Sequence, residues 1–151
     1  MACPFFFPTE KFDDKAWRHR PQLPLGDGFL GICRRDSKQE FIPDARALQA
    51  CCNLGYAFDC PRFPRTYSTD AVRLAVVGDT NSLVTIYCVL EKDHRPAEHG
   101  KLEYSAAERQ FLSRHRDPIV ERQAEVYVES YFRRKGGPAR PAHHSPGDAR
   151  A

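Results

Sequence analysis

The chain has 151 residues, of which 41% are hydrophobic and 28% charged, and its formal net charge is +3. That length suits one domain with a core large enough to need no covalent staples, and that composition excludes a fibrous or wholly disordered chain. So small a positive excess argues against nucleic acid as a partner, because a duplex-binding domain carries a dense basic face, and no apolar run approaches the length of a membrane span.

Seven of the twelve prolines precede residue 65, so the first half is expected to be rich in loops and turns. Residues 1 to 28 read as an extended, proline-punctuated arm anchored by Phe5, Phe6, Phe7, Phe12 and Trp17, with one helical turn over Asp13–Arg18. Phe5-Phe6-Phe7 lies between Pro4 and Pro8 with no basic stretch before it, so it does not read as a secretory signal, and a cytoplasmic protein is expected. Pro21 to Gly28 is a loop by its turn residues. Phe29–Arg34 is a strand candidate, and Gln39–Ile42 a hairpin partner for it. Asp44 caps a helix predicted over Ala45–Leu54, which ends at Gly55.

The pattern then changes. Val72, Leu74 and Val76 alternate, as do Val84, Ile86, Cys88 and Leu90, and Gly78–Ser82 supplies turn residues between them. This predicts an antiparallel hairpin of Asp70–Val77 with Leu83–Lys92. Asp93–Gly100 reads as a polar loop. A helix is expected over Ala106–His115, because Ser105 and Glu108 have capping-box spacing. A second helix is expected over Pro118–Arg134, with Asp117 as its cap and Pro118 in the first turn. Its apolar stripe is Val120, Ala124, Tyr127, Val128, Tyr131 and Phe132. Tyr131, Phe132 and Arg133-Arg134-Lys135 suit a core stripe with a cationic C-terminal turn. The fold expected is therefore α+β. A loop-rich, cysteine-bearing N-terminal half packs on the hairpin and two C-terminal helices, with one domain over 1–135 and a disordered Gly/Pro/Arg/His tail over 136–151.

Cysteines carry the chemistry. A reducing cytoplasm favours metal or catalytic roles over disulfides. Cys3, Cys33, Cys52 and Cys60 are separated by 29, 18 and 7 residues. Four thiolates suffice for a tetrahedral zinc or for the corners of a 4Fe-4S cluster. No Cys-x-x-Cys pair occurs, which weighs against a zinc ribbon, and two of the four cysteines precede proline. Cys88 falls on a buried strand face as a core thiol, and Cys52 is chosen over Cys51 because it ends the Leu48 face. The scattered pattern resembles the iron–sulfur domains of certain uracil-DNA glycosylases. It lacks their close cysteine pair and their catalytic motifs, and no residue role carries over.

The function expected from this set is a small metal-binding protein, with an iron–sulfur cluster on Cys3, Cys33, Cys52 and Cys60, acting on a protein partner as an accessory, redox or regulatory module. Unrelated buried thiols and disulfide or redox pairs are the competing readings of the same cysteines. A zinc-stabilised interaction module is the first alternative function. A small enzyme using Asp93, His94, His99, His115 and Asp117 is the second. Gly26-Asp27-Gly28-Phe29-Leu30-Gly31 has a dinucleotide-loop outline, but it leads into a strand, so its glycines are read as turn formers.

Overall fold

The computed structural model describes residues 1–12, 23–55 and 57–136. The helical turn expected at Asp13–Arg18, the Trp17 anchor and the tail beyond Gly136 lie outside those residues. The class is α+β, as expected. Two antiparallel sheets, the first of three strands and the second of four, are joined by the N-terminal residues and by one long helix.

The second sheet follows the expected alternation. Strands β4 (Ala71–Asp79) and β5 (Leu83–Lys92) pair with Val72 opposite Leu90, Leu74 opposite Cys88 and Val76 opposite Ile86. All six point to one face, and five of them are buried. Burying each aliphatic side chain of this kind contributes roughly 1.5–3 kcal/mol, and cross-strand contact adds to it.

Two expectations after the hairpin are corrected. Asp93–Gly100 is not a polar loop. Asp93 and His94 both take left-handed backbone angles and form a two-residue turn, and the chain returns as strand β6 (Arg95–Ser105). Residues 95 to 101 are exposed on both faces, so they carry no apolar alternation to mark a strand. Ala106–His115 is not a helix. Ser105 Oγ does accept the Glu108 amide at 3.2 Å, as the capping-box spacing implied, but within a turn. Arg109 takes φ +54° and sends the chain back as β7 (Gln110–Phe111). Phe111 packs edge-on against Tyr104 at 5.2 Å, so tertiary packing overrides the local helix signal.

The first sheet was only half expected. Strand β2 (Phe29–Asp36) pairs with β3 (Gln39–Phe41), as predicted. The arm, however, is strand β1 over Phe6–Lys11, on the other edge of β2. Its apolar side chains cluster at the start and its polar ones at the end, which hides a period of two. Ahead of β1, Ala2 pairs with Val72 through two backbone hydrogen bonds of 2.8 and 2.9 Å, so the N-terminus adds a rung to the edge of the second sheet.

The last helix, α2 (Pro118–Lys135), begins and ends as expected. Asp117 Oδ1 accepts the Ile119 amide at 2.8 Å, and Gly136 closes the helix with φ +89°. Its buried face is wider than the predicted stripe and includes Gln123, Val126 and Ser130. Gln123 Nε2 donates to the carbonyls of Cys3 and Phe6, and Arg122 donates to those of Pro8 and Thr9. Ser130 donates to Asp27 at 2.7 Å. No helix among the described residues is long and apolar enough to cross a membrane.

Gly55 sits where the N-terminus closes on this assembly. It holds φ +74°, and a Cβ built there lies 1.5 Å from the Met1 carbonyl oxygen. Gly55→Ala is expected to cost about 2–4 kcal/mol in chemical denaturation, whereas Gly100→Ala, with open space around it, stays within about 0.5 kcal/mol of the parent.

Candidate functional site: a thiol-lined cavity

Asp44 starts a short helix by accepting the Ala47 amide at 2.8 Å. After α1 (Ala45–Ala47) the backbone widens into a π-helical turn over Leu48–Cys52, closed by Asn53 N donating to Leu48 O at 3.1 Å. Such turns are rare and concentrate at functional sites. Its cause is visible in Asn53. That side chain is buried, accepts the Phe29 amide at 2.9 Å, and donates to the carbonyls of Phe29 and Leu48. The helix end is thereby fastened to the first residue of β2, and Cys51 and Cys52 are both turned inward.

Three other segments bring thiols to the same place. The N-terminal segment places Cys3, whose amide donates to the Cys52 carbonyl at 3.4 Å. Strand β2 places Cys33 opposite Phe6. A 3-10 turn over Ala57–Asp59 places Cys60, whose amide donates to Ala57 O at 3.0 Å. Cys3, Cys33, Cys51, Cys52 and Cys60 line one cavity together with Phe5, Phe6 and Phe63. Arg35 and Arg62 stand on the same wall, and the Arg35 guanidinium donates to the Arg62 backbone carbonyl. The free space is about 20 Å³, room for a single water molecule.

All four cysteines singled out in sequence therefore converge, but the metal-binding function expected of them is corrected. Among the described residues, no group of three or more His, Cys, Asp or Glu is disposed to hold a metal ion. This replaces both the iron–sulfur reading and the zinc-module reading with a small cavity lined by free thiols. Its chemistry follows from burial, which favours the neutral thiol. Burial pushes Cys3 up to about 12, and pushes Cys52 further up, with the neighbouring Cys3 and Cys33 adding to the rise. Cys51 is raised first by burial and then by the neighbouring Cys60.

Cys51 is the participant that sequence reasoning set aside. A periodicity argument admits only one of two adjacent residues to a helix face, and the π-helical turn admits both. Cys88 is elsewhere, a core thiol on β5 as expected, raised by burial to about 11.

The alternative site at 93–117 is also corrected. His94 lies at the β5–β6 turn with its ring against Phe58, and His99 lies on β6 with its ring against Tyr87. His115 is bound locally at the start of α2, where its backbone amide donates to Glu121 and its Nδ1 accepts from the Asp117 amide. Each histidine has its own neighbours, and they form no common centre.

In the native protein an alkylating reagent is expected to modify the partly exposed Cys60 and Cys33 before Cys52 and Cys88, with Cys3 held back by its raised proton affinity. Peptide mapping over a time course checks this order, and denaturant should abolish it. No protein-family model, curated protein or solved structure matches the chain, so its function is read from this cavity.

Proposed function

We propose that the protein is a thiol-based redox switch in which Cys51 and Cys60 interconvert between a dithiol and a disulfide. What supports this reading is a cavity lined together by five free cysteines, with Cys51 and Cys60 both on its wall and near enough for Cys60 to raise the Cys51 thiol. Cys60 is the more open of the two and is the first target of an oxidant such as hydrogen peroxide. Its thiolate attacks one peroxide oxygen, the O–O bond breaks, and the released hydroxide takes a proton to become water. Cys60 is then a sulfenic acid. Cys51 attacks that sulfur as its proton passes to the leaving oxygen, a second water departs, and the S–S bond forms. Two thiols lose two electrons in total, and one peroxide becomes two waters. Cys3 and Cys52, held protonated by burial, serve as apolar lining.

The setting that fits is the cytoplasm, where the thiol pool holds the resting state reduced. The consequence falls on the segment from the π-helical turn to Phe63, which carries the exposed Phe58 and offers a protein partner a surface that depends on oxidation state.

Treatment of the reduced protein with hydrogen peroxide is expected to give one Cys51–Cys60 cross-link, reversed by dithiothreitol, while Cys88 remains free. Mapping of non-reduced peptides by mass spectrometry reads this directly. Cross-links that avoid Cys51, or a stoichiometric metal retained by these thiols after anaerobic purification, overturn the switch.

A further inference from the structure

The thiol-lined cavity shares Cys51 with a neighbouring cleft. Cys51 is the only one of the five cavity cysteines that also lines this cleft, whose volume is about 500 Å³. That volume lies in the range of small-molecule sites. Ala47 and Ala50 give it an apolar side, and Arg46 and Asp59 bring opposite charges to it. Neither of these two has an ion-pair partner among the described residues, and Asp44, which also lines the cleft, accepts the Ala47 amide at the helix start.

We propose, resting on the switch reading above, that this cleft takes a small disulfide bearing both carboxylate and ammonium groups, with Cys51 as the sulfur that exchanges with it. Glutathione disulfide represents the class. Arg46 meets a carboxylate of the ligand and Asp59 an ammonium, which sets the disulfide against Cys51. Arg46 also acts on Cys51 itself, since its positive charge opposes the rise that burial and Asp59 impose and favours the nucleophilic thiolate. The Cys51 thiolate attacks one sulfur of the ligand. The ligand S–S bond breaks, one glutathione leaves as a thiolate and takes up the proton, and a mixed disulfide remains on Cys51. Cys60 then attacks the Cys51 sulfur and releases the second glutathione. The sum is two protein thiols and one glutathione disulfide giving one protein disulfide and two glutathiones.

The test uses the full chain, reduced and then exposed to glutathione disulfide. In Cys60→Ser the second step is blocked, and a single glutathionyl group is expected on Cys51 by peptide mapping. Arg46→Glu, an exposed substitution that leaves the fold intact, is expected to lower the preference for glutathione disulfide over uncharged 2-hydroxyethyl disulfide by roughly tenfold. An adduct on Cys60 or Cys33 in place of Cys51 in the parent chain, or a preference that Arg46→Glu leaves unmoved, overturns the cleft assignment. If peroxide still links Cys51 to Cys60 in that case, the switch stands and only its small-disulfide route is lost.

Discussion

The structure depends on the docking of six N-terminal residues into the seam between two sheets. Ala2 pairs with Val72 on the edge of β4, Cys3 bonds the end of the π-helical turn, and Phe6 opens β1. Gln123, fully buried on α2, holds the carbonyls of both Cys3 and Phe6 with one amide nitrogen. A buried amide hydrogen bond is worth about 1 kcal/mol when made and costs more when broken, because its partners are left without water. Here one side chain satisfies two such carbonyls, and the whole first sheet hangs on the same segment. Remove that docking, and neither Cys3 nor Cys33 keeps its position.

The thiol cavity is a product of this seam. Four separate segments end there, and each contributes a cysteine for its own reason of local structure. Phe5, Phe6 and Phe63 line it beside Arg35 and Arg62, and burial there raises Cys3, Cys51 and Cys52. Buried thiols are poor nucleophiles and poor ligands, and that property divides the cluster. Burial raises Cys3 and Cys52 furthest, while Cys51 also borders the neighbouring cleft that carries the cationic Arg46.

The elements legible in the sequence are those whose signal is local. The β4–β5 hairpin shows in the alternation of Val72, Leu74 and Val76 against Val84, Ile86 and Cys88, because one face is buried and the other is not. Helix α2 shows in Asp117, Pro118 and Gly136, because a cap is chemistry within a few residues. What misled was also local. Ser105 and Glu108 do bond as a capping box does, yet Phe111 is drawn to Tyr104 and the chain turns instead. Strand β6 has no buried face over residues 95–101, so nothing in its composition marks it. Strand β1 hid behind a proline-bracketed phenylalanine run, since its pairing with β2 is made by backbone groups that every residue possesses.

Cys3, Cys33, Cys52 and Cys60 were singled out in the sequence by their turn-rich settings, with unrelated buried thiols as a competing reading; the structure lines one cavity with all four. The sequence by itself determined where the segments around Cys52 and Cys60 turn, through Asp44, Gly55 and Pro61, but it passed over Cys51. Only the tertiary structure decided what kind of site they make. The Asn53 side chain widens the helix end and brings in Cys51, and the packing of Phe5, Phe6 and Phe63 closes the space between the sulfurs. Whether clustered thiols act as ligands or as a redox pair depends on angles and burial, which are set by residues far apart in the chain and leave no mark on the cysteine pattern.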